Sequence, residues 1–234
     1  MAGGLYVVAT PIGNLEDLTL RALRILKEVD LVAAEDTRRT RILLAHHGIA
    51  TPTTSYYEQN KWRRGPELLR LLREGKTVAL VTDAGTPGIS DPGGHLVRLA
   101  YEAGIPVVPI PGPSAVAAAL SVAGGPANRF FFEGFLPTRP GRRLARLRQL
   151  RDMECSVVLY EGPHRLLKTL EAIGEVFGEA EVVCCRELTK QFEEVRRGTP
   201  QVLIAHYQDR GVRGEFTLVI PRAERGEGTG APGP

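Results

Sequence analysis

Short apolar runs alternate with stretches of helical periodicity along most of the chain. Residues 5–9, 31–34, 78–81 and 107–110 are apolar runs of strand length, as a sheet covered on both faces requires. Between the first two, Leu20, Leu23 and Leu26 mark one face of a helix, with Asp17 or Thr19 as its cap. Residues 66–74 read as a helix that starts at Pro66 and stops at Gly75. Proline's missing N–H is harmless in a first helical turn, and glycine accepts the backbone of a helix exit. Residues 94–103 form another helix, stopped by Gly104. This alternation predicts an α/β layer with a mostly parallel sheet.

The pattern pauses at Pro109-Ile110-Pro111-Gly112-Pro113, where three prolines and a glycine stiffen the chain and suggest a domain boundary. The expected domains are residues 1–112 and 113–224. The second half restarts with an Ala-rich helix over 114–123, a strand at 129–132 and a basic helix near 142–152. A strand at 157–160, a helix at 163–177 ended by Gly178, and a strand at 182–185 follow. A hairpin through 192–197 comes next. Thr199-Pro200 supplies the cap and first turn of a short helix, and residues 216–220 close the sheet. The Gly- and Pro-rich tail, residues 225–234, reads as disordered. No repeat of 20–50 residues is present.

Composition narrows the class. The chain has 234 residues, 43% hydrophobic and 24% charged, ordinary for a globular protein with room for one large or two smaller domains. No apolar run approaches the roughly 20 residues of a membrane span. The start leads straight into LYVVAT, so no signal peptide, no membrane and a cytoplasmic location are expected. Cys155, Cys184 and Cys185 form no CxxC pair and read as buried thiols.

Chemistry is expected where unusual segments gather. In open α/β sheets ligands collect at the carboxyl ends of the strands, and there lie ATPIGN after the first strand, AEDTR after the second, TDAGTPG after the third and PGPSA at the end of the half. EGF, YEGPH and RELTK occupy the same kind of position in the second half. The opposite loops are short and bland. Turns need Gly, Pro, Asn and Asp anyway, but polar residues crowd only one end of the strands. No GxGxxG follows the first strand and no GxxxxGK[ST] occurs, so neither a dinucleotide fingerprint nor a P-loop is supported. His46 and His47 are adjacent and would point apart if helical, and His95, His164 and His206 stand alone, so no metal site is expected. Ser114 lies in PSA, outside a GxSxG elbow.

Seven segments in order resemble the tetrapyrrole-methylase superfamily and, within it, the ribosomal RNA small subunit methyltransferase I family: ATPIGNLEDLTLRAL, AAEDTRRT, VTDAGTPGISDPG, PGPSA, FFFEGFLP, YEGPHRL and CRELTKQFEEVRRGT. The resemblance spans residues 5 to about 221. It implies a two-domain α/β fold, each domain a mixed sheet flanked by helices, with S-adenosylmethionine in the interdomain cleft, and a homodimer. It implies cofactor contacts at Pro11, at Asp83, Ala84, Gly85 and Thr86, at Ser114 and Ala115, and at Tyr160, Leu188, Gly214 and Glu215. Here Ala84 follows Asp83 where the family has a Gly-Asp-Pro-like turn, and Glu161 follows Tyr160 where the superfamily often has methionine. It also implies an activity, 2′-O-methylation of a cytidine in the decoding region of 16S ribosomal RNA.

The sequence carries a separate signal for RNA. Residues 139–151 hold six arginines and no acid, Arg142, Arg143 and Arg146 among them. Arg38, Arg39, Arg41, Lys61, Arg63 and Arg64 form a second basic group interleaved with Tyr56, Tyr57 and Trp62. Such patches bind phosphates and stack bases, although solvated helix faces look the same. Candidate titratable groups near the acceptor are Lys190, Glu187 and Glu161, with Glu35 and Asp36 in the first half. Lys190 is the favoured base if burial and Arg186 lower its pKa, while pairing with Glu187 is an equal alternative. Two other readings stay open: methylation of a tetrapyrrole or another small acceptor on the same fold, and a non-catalytic RNA- or ribosome-binding protein.

Overall fold

The computed structural model describes residues 3–91, 93–125 and 127–222; the tail expected to be disordered lies outside them. The chain divides into two compact units between Ser114 and Ala115.

The first unit holds β1 (Gly4–Val8), β2 (Leu31–Ala34), β3 (Thr53–Ser55), β4 (Thr77–Val81) and β5 (Val107–Ile110). Their order is β3-β2-β4-β1-β5, and every pair is parallel. The α/β layer expected from the alternation is therefore present, and β4, buried along its whole length, lies at its centre. Helices α1 (Leu20–Glu28), α2 (Thr37–His46), α3 (Lys61–Arg73) and α4 (Gly93–Glu102) complete the unit.

Thr19 caps α1 through Ala22 N–H at 3.1 Å. The face that α1 buries is Ala22, Ile25 and Leu26, so Leu20, 85% exposed, corrects the expected stripe. Helix α3 starts at Lys61, not at Pro66, which sits inside it. The pyrrolidine removes one i→i−4 bond from the ladder, but the buried Leu68 and Leu72 hold the helix to the sheet. Helix α2 and strand β3 were not expected. Asp36 caps α2 by accepting the Arg38 N–H at 2.8 Å.

The second unit holds α5 (Ala115–Ala123), β6 (Phe130–Phe135), α6 (Pro140–Arg151), β7 (Ser156–Glu161), α7 (Leu166–Phe177), β8 (Val182–Arg186), β9 (Glu194–Gly198), α8 (Pro200–Arg210) and β10 (Phe216–Ile220). The sheet order is β6-β7-β10-β8-β9, parallel only between β6 and β7 and antiparallel elsewhere. The hairpin expected before Thr199 is the β8–β9 pair, and Thr199 caps α8. One sheet face packs α6, α7 and α8 around Leu147, Leu159, Leu170 and Leu203. The other packs α5 on Val158, Val183 and Val219, with Phe132, Tyr160 and Leu188 at its margin. Cys184 and Cys185 are buried, and Cys155 is half-buried. No helix among the described residues is long and apolar enough to cross a membrane.

Candidate functional site

In the first unit the loops that leave the carboxyl edge are bonded to one another. Thr10, after β1, exchanges both backbone hydrogen bonds with Gly85, after β4, at 2.9 and 3.0 Å. The Thr10 hydroxyl donates to the Thr82 carbonyl at 3.0 Å, and the Thr86 hydroxyl donates to the Pro113 carbonyl, after β5, at 3.2 Å. Gly85 has φ +89°, and a Cβ there would stand 3.5 Å from Ile12 Cγ2. At Gly112 a Cβ would meet Ala9 Cβ at 3.0 Å. Bare main chain at Gly85 and Gly112 thus lets the loops after β1, β4 and β5 pack closely together beside Pro11, Ala84 and Ser114.

Carboxylates brace this edge. Glu35 Oε2 accepts the Thr82 hydroxyl at 2.5 Å and the Asp83 N–H at 3.3 Å. Asp83 answers in the opposite direction: Oδ1 accepts the Asp36 N–H at 2.9 Å and Oδ2 faces Arg39 at 3.4 Å. Burial raises the Asp83 pKa, and Glu35 adds to this against the Asp36 hydrogen bond. Asp36 grips Arg38 with both oxygens, at 3.1 and 2.7 Å, and those bonds hold its carboxyl down at about 2. Asp91 accepts Gly88 and Gly93 N–H at 2.7 and 2.9 Å and closes the β4 loop onto α4. Among the described residues no group of three or more His, Cys, Asp and Glu is gathered for a metal ion.

In the second unit, Tyr160 and Glu161 leave β7 on opposite faces. Tyr160 packs edge-on against Phe132 at 4.8 Å and Phe135 at 5.9 Å between ring centres. It shares the α5 face with Leu188, and burial raises its phenol pKa. Glu161 points the other way and is 2% exposed. It accepts Gly162 N–H at 2.9 Å and the Thr169 hydroxyl at 2.7 Å, with Arg165 at 3.3 Å.

The turn after β8 is strained. Glu187 has φ +48° and Thr189 φ +68°, conformations that non-glycine residues adopt only when their surroundings impose them. Glu187 Oε1 accepts the Glu215 N–H and the Lys190 ammonium, both at 2.9 Å, and Lys190 also donates to Glu215 at 2.8 Å. Gly214, φ +88°, is required beneath this knot: a Cβ there would fall 2.5 Å from Glu187 Cγ.

The whole-chain comparisons agree with this architecture. The family model for tetrapyrrole (corrin/porphyrin) methylases matches residues 4–203. The chain belongs to the tetrapyrrole methylase family. Within it, the chain is 51% identical over 222 residues to "Ribosomal RNA small subunit methyltransferase I" of Synechocystis sp., covering 94% of this chain and 80% of that one. It is 48% identical to the protein of the same name from Thermotoga maritima, covering 95% and 100%. Among solved structures, uroporphyrin-III C-methyltransferase from Thermus thermophilus, complexed with S-adenosylhomocysteine, is similar in fold: TM-score 0.64, 20% identity, 93% of this chain and 97% of that one.

Several residues singled out in the sequence take on different meanings in this methylase. The expected lowering of the Lys190 pKa is reversed. Burial pulls it down, but the hydrogen bonds it donates to Glu215 and Glu187 outweigh burial and the net shift is upward. Glu187 is held below the usual carboxylate range: burial opposes ionisation, and the Glu215 N–H and Lys190 prevail. Glu161 is a buried tie between β7 and α7, with neither oxygen open to a substrate. Arg143 is buried, 6% exposed, which corrects its place among the RNA-facing arginines. Arg146 is half-buried and clamps Glu133 bidentately at 2.8 and 2.6 Å. Of that trio only Arg142 is exposed; Arg38 and Arg39 are exposed too, each beside a carboxylate.

Sequence reading missed the crossed Glu35–Asp83 brace. Its partners are 47 and 48 residues apart and no spacing announces them. The start of α2 was detectable, because Asp36-Thr37 is a capping signal.

Proposed function

We propose that this chain transfers a methyl group from S-adenosylmethionine to the 2′-oxygen of a cytidine in the decoding region of 16S ribosomal RNA, as a cytoplasmic homodimer. The observation that carries the reading is identity near 50% along almost the whole chain to proteins named for small-subunit ribosomal RNA methylation. The braced loops at the carboxyl edge support a cofactor there, since in open α/β sheets ligands collect at the carboxyl ends of the strands.

The contacts we assign are Pro11, the main chain of Asp83, Ala84, Gly85 and Thr86, and Ser114 and Ala115, where α5 begins and its amides favour a carboxylate. In the second unit they are Tyr160, Leu188, Gly214 and Glu215. The Asp83 carboxylate serves these contacts indirectly, by fixing the loop that carries them. Bound S-adenosylmethionine supplies a methyl group already activated by its sulfonium. The work left to the chain is alignment of the acceptor oxygen and exclusion of water, from which most of the acceleration of such a step can come. Lys190 holds the Glu187–Glu215 turn as an ammonium ion, and Arg38, Arg39 and Arg142 face RNA phosphates.

The test is incubation of purified protein and tritiated S-adenosylmethionine with small ribosomal subunits, naked ribosomal RNA and tetrapyrrole precursors. Label in RNA supports the reading. Label only in a tetrapyrrole replaces it, and no label despite RNA binding leaves a binding protein. Sedimentation checks the dimer.

A further inference from the structure

Trp62 is the one tryptophan of the chain, and it stands 68% exposed. It is nevertheless braced from beneath. The ring meets His95 of α4 edge-on, 4.6 Å between centres. The Tyr56 hydroxyl lies 2.8 Å from His95 Nδ1. Tyr56 is itself buried, and burial pushes its phenol up to about 12. The phenol therefore stays neutral and shares one hydrogen bond with the imidazole. Burial, with Arg98 and Lys61 nearby, lowers the His95 pKa and favours a neutral ring. Gly65 allows the close approach of α3 to α4, because a Cβ there would fall 2.9 Å from Leu99 Cδ1 and 3.0 Å from His95 Cε1. A buried phenol, a neutral imidazole and a missing Cβ thus hold a large aromatic face at the surface.

Its surroundings are cationic. Lys61 lies 5.4 Å from the indole centre, and the Arg63 side chain is exposed with no hydrogen-bond or ion-pair partner among the described residues. Glu58 and Glu67 take up Lys61 and Arg64, which leaves the excess charge positive. The cations continue along edge strand β3: Arg64 donates to Thr54 and Arg41 of α2 to Thr53. The Tyr56 N–H donates to the Ala34 carbonyl at 2.7 Å, so the exit of β3 is bonded to the end of β2, where Glu35, Asp36 and the α2 arginines begin. The exposed aromatic and the arginine row therefore share the carboxyl edge of one sheet.

We infer that Trp62 is the stacking platform for one unpaired base of the RNA acceptor, with Arg63 at a flanking phosphate and His95 and Tyr56 as its positioning residues. An unpaired base offers a free π-face, whereas a duplex keeps its faces stacked internally. The inference rests on the RNA reading given above and adds the point where the strand is gripped.

The single tryptophan makes the test direct. A single-stranded oligoribonucleotide is titrated into the protein while Trp62 emission is read, and the same end-labelled strand is followed by anisotropy. Emission falls along the same curve as anisotropy, and a duplex of the same sequence leaves it unchanged. Trp62→Ala weakens single-strand affinity about 5- to 150-fold, and Trp62→Phe restores most of it. If the strand binds and is methylated but emission stays constant and Trp62→Ala binds like the wild type, the platform is wrong and the RNA reading stands. If no RNA binds and none is methylated, both fall.

Discussion

Asp83 and Asp36 are 47 residues apart in the chain, yet Asp83 Oδ1 accepts the Asp36 N–H at 2.9 Å. The bond ties the loop after β4 to the first turn of α2, and Glu35 returns a tie in the other direction. Asp83→Ala removes the acceptor and leaves that N–H without its partner, at a cost of about 1–2 kcal/mol; the ion pair to exposed Arg39 adds little. Cofactor affinity measured by calorimetry falls in Asp83→Ala more than in Asp83→Asn, which keeps an acceptor oxygen. Unchanged affinity in Asp83→Ala would move the cofactor away from this loop.

Gly85 makes the adjoining prediction. Its φ of +89° strains any L side chain, and its main chain forms the bridge to Thr10. Gly85→Ala lowers stability by about 1 kcal/mol or more in denaturant unfolding and weakens S-adenosylmethionine binding beyond what lost stability explains. Wild-type binding would mean that the bare main chain here serves only the turn.

The pH dependence of stability carries two opposite signatures. Asp30 accepts the Thr77 N–H and hydroxyl, both at 2.8 Å, and Lys76 at 3.0 Å, bonds that hold its carboxyl at about 2. Its contribution is present above the ordinary value of 3.8 and is lost as pH falls from there toward about 2. Asp83 has the reverse sign. Its raised pKa means that the native state holds the proton more tightly, so its contribution declines as pH rises from 3.8 through the folded value. Asp30→Asn therefore flattens acid unfolding between pH 4 and 2. Equal acid sensitivity in Asp30→Asn and wild type would contradict this.

Lys190 separates a base from a brace. As an ammonium ion held by Glu187 and Glu215 it cannot accept a proton near neutrality. Lys190→Ala loosens a turn with two positive-φ residues, so it raises the KM for the cofactor and leaves the shape of the pH–kcat profile as in the wild type. Loss of one limb of that profile would restore Lys190 as the base.

Arg142 and Arg143 are neighbours with different fates. Arg142→Gln leaves thermal stability as it was and reduces the slope of log RNA affinity against log salt by up to about 0.9 per duplex contact, or about 0.7 on a single strand. Arg143→Gln lowers the melting temperature, because that guanidinium is buried. The opposite pattern would contradict the burial assigned to these residues.

This pair also shows what the sequence could not disclose. The apolar runs announced most of the strands, because burial on two faces demands continuous Val, Leu and Ala. Helix α2 escaped notice because Arg38, Arg39 and Arg41 fill its exposed face and only Thr40, Leu43 and Leu44 are buried. The site loops were legible as loops. Which of their carboxylates were spent on structure was not: Glu161 reaches Thr169 eight residues on, and Lys190 reaches Glu215 twenty-five residues on. Distance in the fold decides both.

The most direct measurement of the central claim is the fate of one phosphodiester. Small-subunit ribosomal RNA is treated with the protein and S-adenosylmethionine, hydrolysed in alkali and resolved at single-nucleotide spacing. The account predicts one protected linkage, 3′ to a cytidine of the decoding region, because a methylated 2′-oxygen cannot attack its phosphate. Incorporation of methyl label into RNA with every linkage still cleaved would contradict it.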